Sequence, residues 1–422
     1  MMKNTNSKRT NILFRVLALC LCAALLAGGA CAEETRVVNL GGNGISVLSY
    51  GDTLPDGRIL LAGFKDNANV RNYGWLLCLN RDGTVSWEYL DDSDDSRFTR
   101  AAVLPDGTIG TVLRPMEAGK NTSLELRFFT ADGKPTGKEI SVPVDGTVEA
   151  VAATGSRLLV IMWGKDDSFT PNLLFDWEGQ EIMQVQVSGI AGHMYEEEDG
   201  LLMCGQETGN YGRQAGIWKT DVYGNGKWRT LLPYGDPDSE NIGIWSVTRT
   251  EDGGYLGIQT ELMPRTDPEK IGHINKLVKL DSDGNIIALN GEIFSNTTDS
   301  VMAFGGYGGK YAVSMQTYDG YMVTYRLDNP TKFCWFDENG TDLGTTELKM
   351  KPEDFDWLAE YTETLAEEGK FAVMIPEDDL IALEDGLWMP ASVGIVLGKT
   401  ENGGCLIESD SFREVLVKIP EP

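Results

Sequence analysis

Histidine is nearly missing from this chain: His193 and His273 are the two among 422 residues. Cysteine is scarce too. Cys20, Cys22 and Cys31 all precede Glu33, leaving Cys78, Cys204, Cys334 and Cys405, and no two form a C-x-x-C pair. Together these shortages exclude a zinc site of the usual kind. The four later cysteines sit in "WLLCLN", "LLMCGQ", "KFCWFD" and "GGCLIE", contexts that read as strand interiors far apart, and are expected as buried thiols rather than disulfides. Positive charge is also short, with 36 Lys and Arg against 64 Asp and Glu. A surface of that sign repels phosphate backbones and anionic lipid, so neither nucleic acid nor a membrane surface is an expected partner. No G-x-S-x-G, Walker loop or H-E-x-x-H occurs, and the acidic residues are too many for one pair to stand out as a glycosidase acid and base. No catalytic residue, metal ligand or cofactor is assigned.

Beyond residue 32 there is no apolar run long enough to span a bilayer, which needs about 20 residues. The segment before it has a basic head with Lys3, Lys8, Arg9 and Arg15, an apolar middle "VLALCLCAALLAGGA" and the small-residue end "ACA" at Ala30–Ala32. This is the pattern of a secretory signal peptide cleaved after Ala32, so residues 33–422 are expected to be secreted, with envelope association left open. Gly28 stands where bacterial lipoprotein signals have an apolar residue, so lipid anchoring at Cys31 is undecided. Removing residues 1–32 takes four basic and no acidic residues, leaving a charge of −32.

What the chain has in abundance is glycine in turns. "LPDG" occurs at Leu54–Gly57 and again at Leu104–Gly107, and related turns follow at Gly155, Gly200, Gly253 and Gly309. Their positions differ by a nearly constant interval, close to the length of one propeller repeat. A second turn follows each, at Gly83, Gly133, Gly179, Gly226, Gly284 and Gly340. Asp-Gly favours tight hairpins because glycine supplies positive φ. Between the turns lie short apolar and β-branched segments such as "RLLVIMW" and "NKLVKLD", and "EIMQVQV" alternates as a half-buried strand does. Four strands per unit of about 40–50 residues, connected as a meander, predict an all-β fold: a single β-propeller of four-stranded antiparallel blades.

The period favours eight blades; seven require an insertion at 349–389, where "PEDFDWLAEYTETLAEEG" has helical composition but could also belong to a degenerate blade. The last unit, containing "REVLVKI", lacks a fourth strand. "TRVVNL" at Thr35–Leu40 is expected to supply it and close the ring.

"LNRDGTVSWEY" is similar to the strand–turn–strand with a trailing Trp of quinoprotein repeats, and the units over residues 37–420 resemble secreted bacterial propellers of the quinoprotein-like or WD40-like type. The resemblance implies the fold. The fuller quinoenzyme repeat A-x-D-x-x-T-G-K-x-x-W and a pair of adjacent cysteines are absent, and the sialidase repeat S-x-D-x-G-x-x-W fails in its spacing at Asp82–Trp87.

"DSDGN" at Asp281–Asn285 mimics the start of a calcium loop, but Ile286 takes the place of the required glycine, so a polar hairpin is expected. The long connections carry more chemistry. Those between the tight turns fall on the opposite face of the disc and hold Arg71, Tyr73, Trp163, Tyr211, Arg213 and Arg265. Aromatic and guanidinium groups on loops of a rigid scaffold make binding surfaces. The expected function is an exported, non-enzymatic propeller that binds a protein or glycan through these six residues. The alternatives are a polysaccharide-active hydrolase or lyase with carboxylate, Arg and Tyr groups in the central mouth, and a structural module of an envelope assembly. Buried, pKa-shifted carboxylates beside an Arg near the axis would favour the enzyme.

Overall fold

The Asp-Gly hairpins share one backbone geometry. The computed structural model describes residues 36–41, 46–67, 71–91, 96–115, 123–144, 147–163, 172–185, 193–209, 212–233, 241–262, 273–291, 299–317, 326–327, 329–359, 370–376, 379–399 and 405–422. In it the Asn80 amide donates to the Thr84 carbonyl at 2.8 Å, and the Gly83 amide to the Asn80 carbonyl at 2.9 Å. Gly83 has a φ of 82°, in a region that a Cβ disfavours by about 1–2 kcal/mol. The same pair of bonds closes the turns at Gly57, Gly107, Gly133, Gly179, Gly224, Gly253, Gly284 and Gly340. An Asp at the first position often locks the turn further. Asp281 accepts from the amides of Asp283 at 3.0 Å and Asn285 at 2.8 Å, so the calcium-like "DSDGN" is a hairpin turn.

Four turns differ from the sequence reading; at Gly200 and Gly309 the hairpins are two-residue turns, with Glu197 opposite Gly200 and Tyr307 opposite Lys310. In "YGNG" the positive φ falls on Gly224, and Gly226 opens the next strand. At Gly155 the hairpin is one residue shorter, with the Thr154 amide donating to the Arg157 carbonyl at 2.8 Å. Glycine is needed there because a Cβ would lie 2.5 Å from the Val103 carbonyl of the preceding blade.

These hairpins organise six four-stranded antiparallel sheets in simple meander order. Blade 1 comprises β2 to β5 (Ser46–Thr53, Ile59–Asn67, Arg71–Leu79 and Val85–Leu90), after the N-terminal strand β1 (Val37–Gly41). Blades 2 to 6 follow as β6–β9 within residues 96–143, β10–β13 within 147–185, β14–β17 within 193–231, β18–β21 within 241–290 and β22–β25 within 299–348. Blade 7 contains β26 (Phe371–Pro376), β27 (Ile381–Leu383) and the long hairpin β28–β29 (Gly386–Lys399 and Cys405–Lys418). Each blade packs against the next, and blade 7 against blade 1, which makes the molecule a seven-bladed β-propeller.

Of the two blade counts left open by the period, seven holds. The reason lies between β25 and β26. Pro352–Asp354 forms a 3-10 turn and Asp356–Ala359 a short helical turn, so this stretch builds no sheet among its described residues. Ring closure is as expected: β1 pairs antiparallel with β29, placing Val37 opposite Val417, Val38 opposite Leu416 and Asn39 opposite Val415. The outer strand of the last blade therefore comes from the other end of the propeller.

In blades 1 to 6 the glycine of the second turn also seats a side chain of the preceding blade. A Cβ on Gly133 would lie 2.5 Å from the Trp87 ring, and one on Gly284 2.5 Å from Trp228. Gly179 meets Ile140 and Val142, Gly224 meets Met183, Gly340 meets Leu277, and Gly83 meets Leu383. Trp87 fixes its contact by donating from Nε1 to the Ala131 carbonyl at 3.1 Å. The recurring turn is thus a joint between blades as well as a reversal of the chain. Seven apolar cores fill the wedges between neighbouring blades: Leu60, Leu76, Phe98 and Phe129 lie between blades 1 and 2, and Leu48, Trp75, Trp388 and Leu416 between blades 7 and 1. Burying one such leucine stabilises by about 1.5–3 kcal/mol. Cys78, Cys204 and Cys334 are buried thiols in these layers, outside any disulfide; the side chain of Cys405 lies outside the described residues.

Candidate functional site

The first strand of each blade reaches the axis, and the inner strands of adjacent blades run close together there. Small residues permit this. A Cβ on Gly51 would lie 3.1 Å from the Ala101 carbonyl of blade 2, and one on Gly305 2.7 Å from Leu380 of blade 7. Bulges recur on the same strands: the register shifts between Tyr50 and Asp52 in β2, Phe98 and Arg100 in β6, Ile244 and Val247 in β18, and Val301 and Ala303 in β22. Such bulges re-aim side chains.

Around the axis these strands enclose a cavity of about 630 Å³, to which all seven blades contribute. Its polar and aromatic lining includes Tyr50, Asp52, Arg100, Tyr195, Glu196 and Asp379. The volume lies in the range of ligand pockets, about 300–1,000 Å³. The lining residues come from the ends of the inner strands that lead into the first tight turns, for example Tyr50–Thr53 of β2 and Ser246–Thr248 of β18 (Asn241–Arg249).

Several lining groups join neighbouring blades. Asp52 accepts from the Val103 amide of blade 2 at 2.7 Å and from the Thr53 amide at 2.7 Å. Glu196 of blade 4 accepts from the Ser156 amide of blade 3 at 3.0 Å. The hydroxyls of Tyr195 and Ser246 meet at 3.1 Å between blades 4 and 5. Tyr50 shares a 2.9 Å hydrogen bond with Thr53, and Arg100 donates from Nη1 to the Thr99 carbonyl at 2.9 Å.

Burial raises the Asp52 carboxyl above the usual range; the two amides oppose this, and the nearby Glu196 charge adds to it. Burial also pushes the Tyr50 hydroxyl up to about 12, with Asp52 and Asp379 reinforcing the shift. Tyr195 is raised by burial and then by Asp379. The cavity wall holds three carboxyl groups against one guanidinium, and its phenols are neutral donors or acceptors.

Asp379 owes its place to an irregularity in blade 7. β26 pairs with β28 up to Pro376 opposite Ala391, and β27 resumes with Ile381 opposite Trp388. Four residues of the inner segment thus stand against two of β28. Asp379 forms a bridge with Phe304 of blade 6, and the Leu380 amide donates to the Phe304 carbonyl at 3.1 Å.

Of the six residues expected from sequence, Tyr73 alone has a described side chain, and it is not among the residues lining this cavity. Arg71 opens β4, Tyr73 stands opposite Lys65, Trp163 ends β11 (Leu158–Trp163), and Arg213 lies in β16 (Gly212–Thr220), all at strand ends away from the tight turns. The side chains of Arg71, Trp163 and Arg213, and Tyr211 and Arg265 altogether, lie outside the described residues. Asp52, Glu196 and Asp379 were missed. A usable signal for two of them was "YGDTLPDG" and "YEEEDG", where Tyr and an acid stand just before a first turn. Nothing local marks Asp379.

Elsewhere, "DDSDDS" contributes Asp91, which pairs with Arg127 Nη1 at 2.7 Å and accepts from Ser96 Oγ at 2.9 Å; residues 92–95 lie outside the described set. Among the described residues no three His, Cys, Asp or Glu side chains could hold a metal ion, and no helix is long and apolar enough to cross a membrane.

No family model matches the chain, and no curated protein does. Solved propellers similar to it include BamB from Moraxella catarrhalis, at 11% identity over 90% of this chain and 98% of that one, with a TM-score of 0.41. YCF48 bound to a D1 peptide is 10% identical over 93% and 97% of the two chains, with a TM-score of 0.44. A chain of Drosophila Plexin A in complex with Semaphorin 1b is 9% identical over 91% and 86%, with a TM-score of 0.48. The chain's own strand pairing establishes a seven-bladed β-propeller.

Proposed function

We propose that this protein is an exported, non-enzymatic binding propeller whose partner is a protein or a glycan. The observation that carries the reading is the axial cavity, a preformed concavity lined by all seven blades. Both oxygens of Asp52 accept main-chain amides, one from Val103 of the next blade and one from the adjacent Thr53, which suits rigid recognition better than proton transfer. The cavity supports ligand binding as such; on the composition of the loops alone we assign the opposite, long-loop face as the partner surface, with Arg71, Tyr73, Trp163, Tyr211, Arg213 and Arg265 as its contacts. A glycan array and cross-linking to envelope proteins, both with the mature protein, would identify the partner. Trp163→Ala and Tyr211→Ala should each weaken binding by about 1–3 kcal/mol, with Asp82→Asn and Asp132→Asn neutral. The face assignment fails if the turn variants lose the partner and the loop variants keep it. The binding reading fails if neither screen yields a partner whose affinity any of these variants changes.

A second reading, a polysaccharide-active enzyme, is favoured by the raised Asp52 carboxyl in the same cavity as Arg100. Turnover of a labelled polysaccharide that Asp52→Asn abolishes would establish it.

A further inference from the structure

We propose that the axial cavity receives an extended ligand bearing two or more ammonium groups, a linear polyamine or a lysine-rich segment. This rests on the binding reading above and names the chemistry of a second site, on the tight-turn side. Three carboxylates from three blades, Asp52, Glu196 and Asp379, line the cavity with one guanidinium, Arg100. They do not converge tightly enough to chelate a metal ion. Spread around a wall, they match positive charges spaced along a chain.

Two are held in place by main-chain amides of a neighbouring blade, Asp52 by that of Val103 and Glu196 by that of Ser156. A carboxylate offers about four acceptor sites, so these bonds position each group without exhausting it. Asp379 is carried there by the two-residue excess in the inner segment of blade 7, and its charge is felt by Tyr50 and Tyr195, which come from blades 1 and 4. The Tyr50 side chain offers ring surface for a methylene stem and for cation–π contact. An ammonium, with three donors and no fixed plane, suits acceptors arriving from separate blades better than a planar guanidinium that seeks one carboxylate edge-on.

The test is titration calorimetry of the mature protein with spermidine and, separately, with an acetylated, amidated Lys-Gly-Lys peptide, using the Nε-acetylated peptide as control. Binding of at least one ligand is expected at 1:1. It should weaken about tenfold in Asp379→Asn and in Glu196→Gln, and Glu196→Gln keeps an acceptor for the Ser156 amide. Glu181→Gln, an exposed acid on the outer strand of blade 3, should bind as the parent does and so separates site binding from general attraction to an acidic protein. Melting curves confirm that each variant is folded. Spermidine binding alone would identify a free polyamine, and peptide binding alone a lysine side chain. Absence of binding by both ligands, or an equal loss in Glu181→Gln, overturns the proposal. The loop-face reading would then stand or fall on its own partner screen.

Discussion

Alanine at Gly133 and alanine at Gly107 separate the two roles of the turn glycines. Both positions have positive φ, 75° and 81°, and the same pair of turn hydrogen bonds. Their surroundings differ. A Cβ at Gly107 meets nothing within 4 Å, whereas one at Gly133 would lie 2.5 Å from the Trp87 ring. Gly107→Ala should therefore lose only the backbone term, about 1–2 kcal/mol. Gly133→Ala carries that term and must also displace an indole held by its hydrogen bond to the Ala131 carbonyl, adding about 1–3 kcal/mol of overpacking. At about 2.1 cal/mol/K per residue, a unit of roughly 390 residues unfolds with about 0.8 kcal/mol/K. The expected falls in melting temperature are thus about 1–2 °C for Gly107→Ala and about 2–6 °C for Gly133→Ala. Scanning calorimetry reads both. Combining Gly133→Ala with Trp87→Ala should return most of the additional loss, because the clash has no partner left. Equal shifts for the two glycines, or strict additivity in the double variant, would refute the claim that second turns are joints between blades.

Deleting Val37–Gly41 removes the pairing with β29 and the burial of Leu40; the ring should lose about 1.5–3 kcal/mol from Leu40 and about 0.5–1.5 kcal/mol per lost main-chain bond, and an unchanged melting curve would show that β1 is not needed for closure. Glu414 is fully enclosed and shares a hydrogen bond with Ser392, whose hydroxyl is also 2.8 Å from the Ser46 carbonyl. Since that hydroxyl has one proton, donation to Ser46 requires Glu414 to be protonated, consistent with burial pushing its carboxyl up to about 8. Between about 4.5 and about 8 the unfolded chain releases this proton and the folded chain keeps it, so stability falls as pH rises through that window. Glu414→Gln should lack this fall and match the parent only near the acid end; parallel stability–pH curves would contradict it. Cys78, Cys204 and Cys334 should react with a thiol reagent only on unfolding, with burial pushing the Cys78 thiol up to about 11, and a disulfide-linked peptide in a non-reducing digest would contradict that.

The architecture was legible because it depends on short-range signals repeated many times. Asp-Gly turns need positive φ wherever they occur, and the alternation between them needs only a half-buried strand. Closure by the N-terminal strand could be read from a count, since one unit had three strands and one strand had no unit. The blade number could not be settled that way, because the repeat period alone cannot distinguish a degenerate blade from an insertion at 349–389. That was decided by which segments find a partner along β28.

The site follows the same division. Sequence drew attention to long loops rich in Arg and aromatic residues, because composition is visible along the chain. The axial cavity brings together Asp52, Glu196 and Asp379, which lie several repeats apart along the chain, and no local pattern links them. The sequence by itself determined the repeating hairpin and therefore the propeller. Only the closed ring decided which acids face one another, because the inner strands meet at an axis that exists once the seventh blade has been joined to the first.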